Sequence, residues 1–311
     1  MGVFLWAPMI RSTIAFWLLL LFTAGGALAE NREILQRSDV EVVFPASLRP
    51  AAEEILEIYP AVCRDLEETL GWTVRFRPTV VLIKDRGIFR RISGKPGVMA
   101  LAEPGRNLIV IDFTRMRSHP YTLEGTLKHE LCHLILHDRI SASGLPLWLD
   151  EGLAQWVSGG FTEVAVPQRG NALDNAVISG RLIPLSSLSR AFSQSGRTLV
   201  LAYEQSLSLV TYIIERFGVH SLLTLLDRMA EGDSFEEALS KTLSISPGSL
   251  ESGWRKGLGN RLAWTTMLAG HLYEILFFLA SGALIAGFLR LLRKKRTAMK
   301  QLEEAEETDT E

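Results

Sequence analysis

The chain has 311 residues, 47% of them apolar, with 33 basic against 35 acidic side chains and a formal net charge of −2. That length allows one sizeable core, and the balanced charge removes the electrostatic case for nucleic-acid binding, which needs a basic face. The apolar excess is concentrated at the two ends, so neither end is expected in the globular fold.

Residues 1–29 read as a signal peptide. Arg11 supplies the positive region, Ile14 to Phe22 the apolar stretch, and Ala27-Leu28-Ala29 a small-x-small cleavage site. An uncleaved signal anchor is the alternative, because Val3 to Met9 is apolar as well. Residues 30–266 carry the fold. Val40 to Phe44 reads as a first strand, and Arg49 to Trp72 as an amphipathic helix with Ile55, Ile58, Val62, Leu66 and Leu70 on one stripe. Thr73 to Ile83 is rich in β-branched residues and predicts one or two strands, interrupted at Pro78. A short helix over Ile88 to Ile92 follows. Then come strands over Val98 to Ala102 and Leu108 to Phe113, joined by the turn Glu103-Pro104-Gly105-Arg106-Asn107.

After Pro120 the pattern is helical. The segments are Tyr121 to Ile140, Leu147 to Val157, Leu185 to Phe192, Leu199 to Phe217, Val219 to Met229, Ser234 to Thr242 and Ser249 to Leu262. Gly218, Gly232, Pro247 and Gly248 punctuate them. Strands first and helices afterwards predict an α+β domain, a small N-terminal mixed sheet followed by a mainly helical lobe. Residues 267–290 predict a transmembrane helix: from Leu268 to Leu289 only His271 and Glu274 are ionisable, and such a stretch covers the roughly 30 Å hydrocarbon layer. Residues 291–311 form a basic, then acidic tail. Arg290, Arg293, Lys294, Lys295 and Arg296 place it in the cytoplasm by the positive-inside rule. Export followed by anchoring puts residues 30–266 outside the membrane, in a bacterial periplasm by the simplicity of the signal. Cys63 and Cys132 would then meet an oxidising compartment, but both fall within helical patterns that favour packing over pairing.

The chemistry lies in His129-Glu130-Leu131-Cys132-His133. Residues four apart on an α-helix share a face one turn apart, so both imidazoles can reach one metal ion. Glu130 is rotated about 100° from His129 and can hold a water at the metal without being a ligand. Leu123, Leu127, Leu131 and Leu134 provide an apolar face that buries the helix. A catalytic zinc takes three protein ligands and keeps one position open. Gly and His are missing at the third and sixth places after His133, where Leu136 and Arg139 stand, so the third ligand of the metzincins is absent. Trp148-Leu149-Asp150-Glu151-Gly152-Leu153-Ala154 offers a carboxylate on the next helix instead, after the turn Ile140 to Leu145.

With H-E-L-x-H followed by W-L-x-E-G-x-A, the sequence resembles the gluzincin metallopeptidases, and in particular the bacterial peptidase-MA-like domains. The resemblance implies a gluzincin-type helical active-site lobe, zinc (Zn2+) held by His129, His133 and Glu151, and Glu130 as general base in peptide-bond hydrolysis. Its substrate would be a peptide or protein. More weakly it extends to Ala202-Tyr203-Glu204-Gln205-Ser206 and Phe217-Gly218, covering Val98 to Trp254. Seventeen residues, 134 to 150, separate His133 from Glu151, near the short end for the clan. Gln155 stands where thermolysin-like enzymes carry an orienting carboxylate, which leaves Asp150 and Gln155 as candidates for supporting the imidazoles. No G-x-M-E-N signature precedes the motif, which favours internal cleavage over removal of N-terminal residues.

His137 continues the ladder one further turn, too far to share a metal with His129, and reads as a polar residue at the helix end near Asp138. The remaining His119, His220 and His271 read as structural. On Leu199 to Phe217, the residues Tyr203, Leu207, Val210, Ile214 and Phe217 share a stripe, with Gln205, Ser208, Tyr212 and Arg216 opposite. Tyr203 heads that stripe and is the candidate phenol for stabilising a tetrahedral oxyanion, the alternative being plain core. Two other readings stay open beside an anchored endopeptidase: a catalytically silent peptidase-like binding module of the cell envelope, and a zinc amidohydrolase acting on a non-peptide amide.

Overall fold

The densest β-branched runs build one five-stranded sheet, and the helical periodicities that follow it build the lobe carrying the site. The structure, a computed structural model, describes residues 32–94, 98–116, 122–160, 172–270 and 272–308, with side chains to residue 259 and again over 277–295. The expected signal peptide lies outside them.

The strands are β1 (Arg32–Gln36), β2 (Glu41–Pro45), β3 (Thr79–Ile83), β4 (Ala100–Glu103) and β5 (Leu108–Asp112), in the order β1-β2-β3-β5-β4. β2, β3 and β5 run parallel, while β1 and β4 pair antiparallel at the edges. β3 and β5 read TVVLI and LIVID and are buried at every position after the first, as parallel strands covered on both faces should be. β1 was not legible in the sequence. Its residues are half-buried or exposed, and only its register on β2, with Ile34 opposite Val43, makes it a strand. Over Thr73 to Ile83 only the part after Pro78 pairs. The Val74 amide instead donates to the Glu67 carboxylate at 2.8 Å, a local partner that competes with a ladder.

The helices are α1 (Arg49–Leu70), α2 (Arg86–Ser93), α3 (Leu123–Arg139), α4 (Leu147–Val157), α5 (Ala172–Ile178), α6 (Leu185–Ala191), α7 (Arg197–Phe217), α8 (Val219–Ala230), α9 (Phe235–Leu243), α10 (Pro247–Gly270) and α11 (Leu272–Thr308). This is the expected α+β arrangement. α5 was missed, because what fixes it is distant in sequence: the Leu173 amide donates to Glu204 on α7 at 2.7 Å. On α1, Tyr59 rather than Ile58 takes the inward place in the stripe.

α3 starts at Thr122, whose hydroxyl accepts from the Gly125 amide at 3.1 Å and caps the first turn. Leu127, Leu131 and Leu134 are buried, each contributing about 1.5–3 kcal/mol of apolar transfer. The helix packs against α1, β4 and α4, and Lys128 pairs with Asp65 of α1. Behind it, the indole of Trp72 donates to Asp227 of α8 at 2.7 Å, and the Arg139 guanidinium lies over the Trp72 ring at 5.8 Å. The end of α3 is thereby tied to both the α1 terminus and the helical lobe.

α4 packs chiefly on α7, and Gly152 sets how closely. A Cβ built at Gly152 would lie 2.6 Å from the Ser206 carbonyl oxygen and 2.7 Å from a Val210 methyl. This approach revises the expected orientation of α7. The buried face is Ala202, Tyr203, Gln205, Ser206, Leu209, Val210 and Ile213, whereas Leu207 and Ile214 are half-buried. Gln205, expected on the solvated side, is inside because its amide accepts from the Ile183 N–H at 2.8 Å and donates to the Ile183 carbonyl at 3.0 Å.

The chain divides into two compact units, Met1–Leu250 and Glu251–Glu311. The second comprises the remainder of α10 and then α11. Among the described residues no single helix is long and apolar enough to cross a membrane, and the expected span over 267–290 falls partly on residues 260–276, whose side chains lie outside that set.

Gly152→Ala should lower stability by about 1–3 kcal/mol, because the added methyl meets backbone that can yield only by separating α4 from α7. Gly105→Ala, where an added methyl meets nothing within 4 Å, should leave the urea midpoint unchanged. Equal midpoints for the two variants would show that the helices part freely.

Candidate metal centre

The site forms where α3 and α4 meet, because the short Ile140–Pro146 connection folds the start of α4 back beside the last turns of α3. His129 and His133, one turn apart, bring their Nε2 atoms to 3.3 Å, with the rings edge to face. Glu151 Oε2 stands 3.8 Å from each of those nitrogens. All three side chains are buried, and their donor atoms lie within 4.8 Å of one another. A point equidistant from three atoms at those spacings is about 2.1 Å from each, which is the length of zinc–imidazole and zinc–carboxylate bonds. Two imidazole nitrogens and one carboxylate oxygen are also the donor set of a catalytic zinc site. The residues present fit the ion.

Glu130 is fully buried on α3 beside His129. Its charge acts on His133 together with those of Asp150 and Glu151. Burial alone would disfavour charge on the His133 ring. The Asp150 carboxylate, followed by Glu151 and Glu130, outweighs that effect and holds the imidazole well above its ordinary pKa.

Asp150 supplies the support that the sequence left unassigned. Its Oδ1 accepts from His133 Nδ1 at 2.7 Å, which turns the Nε2 lone pair toward Glu151 and His129. Its Oδ2 accepts from His137 Nε2 at 2.9 Å, so His137, at the helix end as expected and outside the donor triangle, is bonded to the residue next to Glu151. Burial would raise the Asp150 pKa, but His133 and then His137 hold it well below the usual carboxylate range. Gln155, the other candidate, does not serve an imidazole. Its amide nitrogen donates to the carbonyls of Glu151 at 3.0 Å and Tyr203 at 3.1 Å. Asp150 was visible in W-L-D-E-G, but its link to His137 depends on how α3 and α4 cross.

Tyr203 is 3% exposed, with its ring edge-on to Phe192 at 5.0 Å between centroids. Through Gln155 its backbone shares one amide with the backbone of Glu151. His220 is exposed on α8, and Cys63 and Cys132 are free thiols, the latter buried and held well above its ordinary pKa chiefly by that burial.

The chain matches the family described as the Peptidase MA superfamily over residues 100–260. No curated protein matches it. Among solved structures it is similar to Legionella pneumophila aminopeptidase A in complex with aspartic acid, at 17% identity and a TM-score of 0.47, covering 72% of this chain and 28% of that one. It is also similar to an M1 zinc metallopeptidase from Deinococcus radiodurans, at 13% identity and a TM-score of 0.41, covering 72% of this chain and 51% of that one. The chain thus spans between about a quarter and about half of those proteins' lengths. The family match takes in more than half of the chain, including both helices that supply the three metal donors, and this protein belongs to the Peptidase MA superfamily.

Proposed function

We propose that this protein is a membrane-anchored, zinc-dependent endopeptidase. The observation that carries the reading is the buried triangle of His129, His133 and Glu151 donors beside the buried Glu130 carboxylate. Zinc bound there supplies a Lewis acid that polarises the scissile carbonyl and acidifies water. Glu130 takes the proton from the attacking water and returns it to the leaving amine. Asp150 keeps the His133 tautomer that offers Nε2 to the metal.

Tyr203 is the proposed oxyanion donor. Its support is the shared Gln155 amide, which brings its backbone beside that of Glu151. Internal cleavage is supported by β4, an edge strand that lies against α3 and pairs with β5. An extended peptide can add to such an edge through main-chain hydrogen bonds without either terminus being held. The strand predicted over Val98 to Ala102 runs from Ala100 to Glu103.

Anchoring is supported by the second unit. Phe277, Phe278, Leu279, Leu284, Ile285 and Phe288 are each 60% or more exposed on α11, a display of apolar surface that water disfavours and lipid accepts. The basic run that follows sets the C-terminus in the cytoplasm and residues 30–266 outside, in the periplasm of a bacterial cell.

Glu130→Gln should retain about one zinc per chain and lose hydrolysis of a peptide library, whereas Glu151→Ala should lose the zinc itself. Hydrolysis persisting in Glu130→Gln would sink the mechanism. Wild-type protein that holds zinc but cleaves no peptide would point to the binding-module or amidohydrolase readings.

Tyr203→Phe should lower kcat by roughly ten- to a thousand-fold with KM and zinc content nearly unchanged. Unaltered turnover would return this ring to the core.

Protease added to intact spheroplasts should digest the domain and spare the Arg293 to Glu311 tail. An exposed tail with a protected domain would reverse the topology.

A further inference from the structure

α3 carries three imidazoles at four-residue spacing, and the metal centre uses two. His129 and His133 turn their Nε2 atoms to Glu151, while His137, one turn further on, turns its Nε2 away from that cluster to Asp150. The result is a carboxylate held at both oxygens by one helix. Oδ1 takes His133 Nδ1 at 2.7 Å, and Oδ2 takes His137 Nε2 at 2.9 Å.

We propose that His137 is a positioning residue of the metal centre, acting through Asp150 to fix the orientation of the ligand His133. The inference rests on the metallopeptidase reading and deepens it. A carboxylate bonded at one oxygen can still swing about its Cβ–Cγ bond, and each swing would tilt the His133 ring that follows it. Bonding at the second oxygen removes that freedom. Because both donors stand on α3, one turn of helix sets the distance between them, and both contacts are kept or lost together. The Asp150 side chain is only 6% exposed, so water offers little alternative for its second oxygen, while His137, 20% exposed, closes the bridge at the rim. Supporting partners of metal-ligating imidazoles typically change metal affinity by ten- to a hundred-fold when removed. His137 lies one partner further out and is reached through a buried bond.

The bridge also explains a position that the spacing alone left idle. Asp150 directly precedes the ligand Glu151 in α4, so the His137 bond holds the first turn of α4 against the last turns of α3. Donor residues from two helices are then kept in register by a contact outside the donor triangle.

The test uses the full-length protein, with zinc affinity read by competition with a chelator and the site read by the visible spectrum of the cobalt(II)-loaded form. His137→Leu keeps the bulk but cannot donate. His137→Gln places an amide N–H at about the reach of Nε2. The expected result is a zinc affinity about ten-fold weaker in His137→Leu with a shifted cobalt spectrum, and recovery to within about three-fold of wild type in His137→Gln. In an Asp150→Ala background the His137→Leu change should cost nothing further, since the two act as one unit. Matching affinity and spectrum in His137→Leu and wild type, equal damage in the Leu and Gln variants, or full additivity with Asp150→Ala would each overturn the proposal. A loss of melting temperature in His137→Leu without a change in affinity or spectrum would overturn it too, because that is the signature of a purely structural contact. Wild-type protein that takes up neither metal would remove the metallopeptidase reading itself, an outcome distinct from all of these.

Discussion

The structure turns on the burial of charge. Glu130, Asp150 and Glu151 all lie inside the junction of α3 and α4, together with His129 and His133. Taking an ionised carboxylate out of water costs several kcal/mol even after relaxation, and three in one place repel one another. Such a cluster is tolerable only with matching positive charge at close range. Asp150 is bonded at both oxygens to the His133 and His137 rings, and the donor triangle has the dimensions of a divalent-cation site. Metal uptake and stability are therefore expected to be coupled, since the folded chain presents the site and the unfolded chain does not.

The remainder of the first unit keeps that junction in place. Apolar residues of α3 pack toward α1 and the sheet, while Gly152 lets α4 settle onto α7 at backbone contact. Buried amides then fix the pieces that packing alone would leave free to slide. Gln155 joins α4 to α7, and Gln205 grips both backbone groups of Ile183 in the segment leading to α6. Each of these hydrogen bonds contributes on the order of 1 kcal/mol net. Their larger effect is on register, because a buried amide left unpaired would cost more than a paired one gains.

His129, Glu130 and His133 come from one helix, and Glu151 from the next. That division gives the site two kinds of tolerance. Within α3 the spacing of His129, Glu130 and His133 is set by the helical repeat and is insensitive to the rest of the fold. Between α3 and α4 it depends on a crossing that the Asp150 bridge and the Gly152 contact both hold. Perturbation of the metal centre is therefore expected to enter from the α4 side.

The donor residues and the main helices of the lobe were determined by the sequence alone. The spacing of His129, Glu130 and His133 is a property of one helix, and W-L-D-E-G lies on the helix that follows, so local periodicity suffices to place them. The bounds of α4 were read correctly from the same signal, and those of α3 and α8 to within two residues. What the tertiary structure decided depends on contacts between residues distant in the chain. β1 exists through its register on β2, α5 through Glu204, and the inward face of α7 through the approach of Gly152 and the Ile183 clamp around Gln205. The bridge from His137 to Asp150 belongs to the same class. Thirteen positions apart, the two meet only because a seven-residue connection folds α4 back on α3, and nothing in the local pattern of either helix records that fold.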